Sequence, residues 1–232
     1  MDTSIVETKQ FVSHIIGGRY LEYNFLENIS LHNKQLKILH HAFPSVLFQR
    51  KKLALHGCAF EYKNYAILLL GPSGFGKSET INVLQKHLKV ISDDIISIEI
   101  REEKAICNPG LPMLCIQNKN SALKLNDKRE RSLQIVSHNN MVNADMTVKK
   151  ILYLDWGEEN IVSKMKTIDA FKYLILNSFR PIPSTNSPDS QSEYMKLISH
   201  LANTCQHFRL SRKKGDLDGS ISTIFNFLKN ND

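Results

Sequence analysis

The chain has 232 residues, 42% hydrophobic and 23% charged, with a formal net charge of +7. This is the composition of a soluble globular protein, long enough for one α/β domain with at most a small appendage. No apolar run approaches the ~18 residues of a membrane span and the N-terminus MDTSIVETKQFVSHII lacks the pattern of a signal peptide, so the expectation is a cytoplasmic protein without a membrane partner.

Cys58, Cys107, Cys115 and Cys205 lie far apart, which disfavours a zinc knuckle or a disulfide framework. The basic residues are scattered in pairs such as Lys51-Lys52 and Lys149-Lys150 rather than gathered in a block, so no nucleic-acid partner is expected.

Residues 1-48 mix both hydrophobic periods and carry little punctuation beyond Gly17-Gly18 and Pro44. They predict a small, mainly α N-terminal extension with a strand or two, packed on a main domain of residues 49-232. LALHGCAF (53-60) and YAILLL (65-70) read as strands joined by the tight turn EYKN. The loop GPSGFGKS (71-78) follows, and Ile81, Val83, Leu84 and Leu88 predict a helix over about 77-88. VISDD (90-94) then reads as a short buried strand whose frayed end carries two aspartates.

DIISIEI (94-100) continues as a strand, AIC (105-107) is its hairpin partner, and NPGLP (108-112) breaks the pattern. ILYLDW (151-156) is a further strand, TIDAFKYLILNSF (167-179) a helix, and RPIPSTNSPDSQS (180-192) a loop. Residues 193-205 form a helix, HFRLSR (207-212) a strand, and 216-229 a last helix. Strands and helices mixed with hairpins predict an α/β protein with a mixed sheet.

The motif GxxxxGK[ST] needs glycines so that backbone N–H groups wrap a phosphate, and it needs a buried strand before it and a helix after it. Gly71, Pro72, Ser73, Gly74, Phe75, Gly76, Lys77 and Ser78 meet both conditions. Lys77 is expected to reach the β- and γ-phosphates of ATP and Ser78 to bind Mg²⁺. A carboxylate must complete the metal site, and two places supply one. Pattern alone favours Asp155, at the end of ILYLD. Chemistry favours Asp93-Asp94, because transfer to a neutral hydroxyl needs a metal ligand and a proton acceptor, which adjacent carboxylates divide between them.

The stretch from Leu55 to Asp94 resembles the C-terminal catalytic domain of the HPr kinase/phosphorylase family. It shares the His-Gly pair, a hairpin, GPSGFGKSET, a helix and the Asp-Asp end, in that order. A weaker likeness runs through NPGLPMLCI (108-116), ILYLDWGEENIVSK (151-164) and HFRLSRKKGDLD (207-218), so it covers roughly residues 50-230. The resemblance implies a P-loop-containing mixed sheet flanked by helices. It carries a metal ligand and an acid/base group onto the pair Asp93 and Asp94 without dividing the two roles between them, places His56 near the transferred phosphate, and gives Glu79 a share in holding the metal. Its hexamers imply self-association.

The family's bifunctional members carry a glycine-bearing signature after the Asp pair, where this chain reads EIREEKAICNPGLP. Dephosphorylation of HPr is therefore not expected. NPGLPMLCI resembles a shorter branch found beside gene sets for modified peptides, which implies transfer to the C-terminal Ser of a lasso-type precursor peptide. Lys128, Arg129, Arg131 and Arg180 are then candidates for contacting phosphates or a terminal carboxylate. The alternatives are an HPr or free-serine kinase and, of another class, a nucleotide-binding regulator without transfer.

Overall fold

The computed structural model describes residues 3–26, 28, 34, 38–117, 131–179 and 188–231. The N-terminal segment corrects the mainly α expectation: it is an antiparallel meander of β1 (Thr3–Glu7), β2 (Phe11–Ile16) and β3 (Tyr20–Phe25). The reason is local. Ser4 and Val6, then Phe11, Ser13 and Ile15, alternate with exposed residues at period two. Gly17 and Gly18 both take positive φ (58° and 62°) in the three-residue connection Gly17-Gly18-Arg19, closed by Arg19 N–H on the Ile16 carbonyl.

The meander rests on α1 (Phe43–Gln49), which a π-helical turn at Ile38–Ala42 precedes and which begins with Pro44, where the missing N–H costs nothing. Val6, Phe11 and Ile15 bury against Ala42 and Val46. Gln49 is the polar clasp: its amide donates to Ser4 Oγ (2.7 Å) and the Ile15 carbonyl, and its Oε1 accepts from Gly18 N–H (2.6 Å).

The main sheet has seven strands: β4 (Leu53–Tyr62), β5 (Tyr65–Leu70), β6 (Val90–Arg101), β7 (Lys104–Asn108), β10 (Met146–Gly157), β11 (Ile161–Lys164) and β12 (Gln206–Lys213). Their order is β11-β12-β10-β5-β4-β6-β7. β10 runs parallel to β5 and β12, and the other pairs are antiparallel, so the sheet is mixed and the protein α/β as its element pattern predicts. β7 also pairs with the start of β10, which curls the sheet back on itself. A separate hairpin, β8 (Met113–Gln117) and β9 (Arg131–Ile135), was not anticipated from the sequence.

Helix α2 (Lys77–Leu84) and α5 (Leu217–Asn230) cover one face over Cys58, Phe60, Ile67, Leu69, Leu152 and Leu154. Helices α3 (Thr167–Leu176) and α4 (Pro188–Thr204) fill the other, where Leu55, Leu68, Ile96, Ile98, Ile151 and Tyr153 gather. Lys128, Arg129, Arg180 and most of the Pro/Ser-rich stretch lie outside the described residues, and Arg131 opens β9. Among the described residues no helix is long and apolar enough to cross a membrane.

Candidate active site

β5 is buried on both faces and delivers the chain to Gly71, packed against Leu154 of β10. The loop then turns through Gly74 (φ 88°) and Gly76 (φ 76°), conformations that a Cβ disfavours, and α2 starts at Lys77. Lys77 is only 7% exposed, and its ammonium donates to the carbonyls of Gly71 (2.6 Å) and Pro72 (3.0 Å), folded onto the loop it belongs to. Ser78 and Glu79 occupy the first turn of α2, where a negative charge suits the helix dipole.

The loop has a second anchor that motif reading missed. Arg212, at the end of β12 and 3% exposed, donates to the Phe75 carbonyl (2.9 Å), Thr80 Oγ1 (3.2 Å) and Ser220 Oγ (3.2 Å). Its guanidinium also lies over Trp156, which stacks on Phe75 with ring centroids 5.4 Å apart. Burial pushes the Arg212 pKa down, and the charge of the Glu79 carboxylate acts the other way. Within the sequence Arg212 is one cation of a basic triplet, so nothing there distinguished it.

The two aspartates do not sit at a frayed end, which corrects the sequence expectation. They lie inside the twelve residues of β6, because the strand pairs with β4 along nearly its whole length. Ser92 pairs with Ala59 and Val90 with Phe60, leaving Ile91 as the extra residue of a bulge, a device that re-aims neighbouring side chains. Asp94 then takes φ 73°, and Ser92 Oγ donates to the Ile95 carbonyl (2.6 Å) across the kink. Gly110 of the NPGLP turn presses on the same spot: a Cβ there would overlap Ser92, and its N–H donates to the Ile91 carbonyl (2.8 Å).

Register links this kink to the phosphate loop. Asp94 is opposite Gly57 on β4, and Gly57 is opposite Leu70, the last residue before the loop. Gly57 permits that closeness, since a Cβ would lie 2.6 Å from the Leu69 carbonyl oxygen. Asp93 pairs with Cys58, on the face that carries α2. The Cys58 thiol is pushed well above its usual value, first by burial and then by the Asp93 charge, so it is no nucleophile.

Two histidines hold Asp94. His56 Nδ1 is 3.2 Å from Asp94 Oδ1, and His40 Nδ1 is 3.1 Å from Oδ2. His40 comes from the π-helical turn of the N-terminal segment and was missed by the sequence reading, which offered no signal beyond an ordinary His pair. Asp155 is otherwise occupied: its Oδ1 accepts from Trp156 N–H (2.9 Å) and its Oδ2 lies 3.9 Å from Arg209 Nε. Alternation along β10 puts it with Ile151 and Tyr153 on the α3 face, opposite to α2.

Among the described residues no three His, Cys, Asp or Glu side chains gather as a metal cluster. Mg²⁺ beside a nucleotide takes only one or two protein oxygens and completes its shell with phosphates and water. The Ser78 hydroxyl, a carboxylate of the Asp93-Asp94 pair and the Glu79 carboxylate in the first turn of α2 have the hard-oxygen chemistry for that role.

No family model matches the chain, and no curated protein matches it by sequence. Among solved structures, the Hpr(Ser) kinase/phosphatase from Coxiella burnetii is similar to it at 11% identity and a TM-score of 0.46, over 76% of this chain and 91% of that chain.

Proposed function

We propose that the chain is a P-loop phosphotransferase that moves the γ-phosphoryl group of ATP to a hydroxyl, with a peptide serine as acceptor. The observation that carries this reading is the register that sets Asp94 level with Leu70, at the base of the phosphate loop, with only β4 between them. A loop alone binds a nucleotide; a loop with a buttressed carboxylate pair beside it can also activate an acceptor.

In this reading the loop amides and Lys77 hold the polyphosphate, the ammonium exchanging its two loop carbonyls for phosphate oxygens. Ser78 and Asp94 would hold Mg²⁺, which neutralises charge on the phosphates when bound. Asp93 takes the hydroxyl proton, and His40 and His56 keep the Asp94 carboxylate in one orientation. Glu79, directly after Ser78, would share in holding the metal, and its charge suits the first turn of α2. The finer proposal of a C-terminal Ser on a lasso-type precursor rests on the sequence resemblance.

The test is incubation of the purified chain with Mg²⁺-ATP and, separately, precursor-type peptides, HPr and free serine, with phosphate addition followed by mass spectrometry. Phosphopeptide that disappears in Asp93→Asn supports the reading. ATP binding without transfer to any acceptor would favour a nucleotide-binding regulator instead.

A further inference from the structure

Beside the aspartates lies a cavity of about 170 Å³, lined by no residue of the phosphate loop. Its wall comes from three distant stretches: Leu39 and Phe43 of the N-terminal segment, Ile95 of β6, and Pro109, Leu111 and Met113 of the turn that leads into β8. Asp93 and Asp94 also line it, with His40, whose Nδ1 is 3.1 Å from Asp94 Oδ2. We propose that this cavity receives one apolar side chain of a peptide acceptor, from the residue flanking the one whose hydroxyl is phosphorylated.

The inference rests on the transfer reading above and adds the recognition element. Size argues for a side chain: pockets for whole small molecules run to about 300–1,000 Å³, and this one is smaller. Lining argues for an apolar one, since burying it removes hydrocarbon from water on both sides. Charge gives the exclusion: two carboxylates in the wall repel an acidic flanking residue. Position ties the cavity to the chemistry, because the carboxylates that bound it are those assigned to the acceptor hydroxyl, and neighbouring residues of a peptide are only about 3.8 Å apart. Leu111 is the accessible part of the rim, at 46% exposure.

The experiment offers the full chain capped hexapeptides with one serine flanked, on either side, by leucine, alanine or glutamate, and measures kcat/KM for phosphopeptide by mass spectrometry. ADP release without peptide is followed in parallel, in the natural chain and in Lys77→Met. The better leucine peptide is expected to exceed the alanine peptide by about tenfold or more, with glutamate below alanine. In Leu111→Asp the leucine-to-alanine ratio should collapse towards one, a ratio independent of any change in overall rate.

Equal rates for leucine and alanine, or a leucine preference that Leu111→Asp leaves intact, overturns the cavity proposal and leaves transfer standing. So does Lys77-dependent ADP release with no peptide phosphorylated, since the acceptor is then no peptide. ADP release that Lys77→Met leaves unchanged, again with no phosphopeptide, overturns the transfer reading itself.

Discussion

The two halves of the site are built in opposite ways. The phosphate loop is one contiguous run, Gly71 to Ser78, with a strand before it and a helix after it, and its lysine is held by carbonyls five and six residues away. The acidic half is gathered from His40, His56, Asp93, Asp94 and the turn around Gly110, joined by strand register and by a bulge. A locally closed element keeps its shape with few outside partners, whereas an assembled one depends on every element that contributes to it. Substitutions in the two halves should therefore fail differently.

The largest separation is expected between the catalytic groups. Asp93→Asn should lower transfer by about 10²–10⁴-fold while ATP affinity stays close to that of the natural chain. Lys77→Met should lower transfer by about 10²–10³-fold and weaken ATP binding as well. Isothermal titration with ATP beside a transfer assay reads both quantities, and equal losses of affinity in the two variants would erase the distinction between the halves.

Arg212→Met tests whether the loop is as self-contained as it looks. Losing the buried guanidinium should cost about 2 kcal/mol of stability, by the loss of hydrogen bonds to a charged group. It should also raise the KM for ATP, because the Phe75 carbonyl and Thr80 lose the partner that connects the loop to β12. Denaturant unfolding and ATP titration read the two effects, and an unchanged KM would make the loop independent of that anchor.

Gly110→Ala is the counterpart on the acidic side. The added methyl overlaps Ser92, so the turn or the kink must shift, at a cost of about 1–3 kcal/mol. Transfer should drop and ATP binding should not. A drop in ATP binding of the same size would show that the two halves are mechanically one.

The smallest effect concerns the floor both halves share. His207, buried on β12, pairs its Nδ1 with the Tyr153 hydroxyl (3.0 Å) and its Nε2 with the Leu201 carbonyl (3.2 Å). Burial holds its pKa below the ordinary value, against hydrogen bonds to the Leu201 and Ala202 backbone that act the other way. In the unfolded chain the imidazole takes up a proton below about pH 6.5, and in the folded chain only at lower pH. Stability should therefore fall as pH drops through that window, with the loss complete below the folded pKa. Thermal unfolding of the natural chain and of His207→Gln across pH 5 to 7.5 would show a steeper decline in the former, with both activities affected alike.

Legibility in the sequence followed the same division. YAILLL, the loop and the start of α2 were readable because period, glycines and motif lie side by side. The two-residue turn of β4 and β5 was readable too, and Lys63 and Asn64 take positive φ there. The N-terminal segment was misread as mainly α because the period-two alternation of each strand spans only five or six residues and helical residues follow up to Gln49, so the stretch mixes both periods. The aspartates were found as a pair but placed at a frayed strand end, although DIISIEI was read as strand, since nothing local shows that the two runs form the single strand β6. Their pairing with β4 decides that.

By itself, then, the sequence determined the α/β class, through the order of strands and helices along the chain, and the phosphate-loop motif, which lies within one strand-loop-helix span. Only the tertiary structure decided that Asp94 stands between His40 and His56, that Arg212 reaches back 137 residues to Phe75, and that an apolar cavity opens beside the carboxylates. The physical reason is that these contacts are made by strand register and sheet curvature. Both are settled by the burial of side chains far apart in the chain.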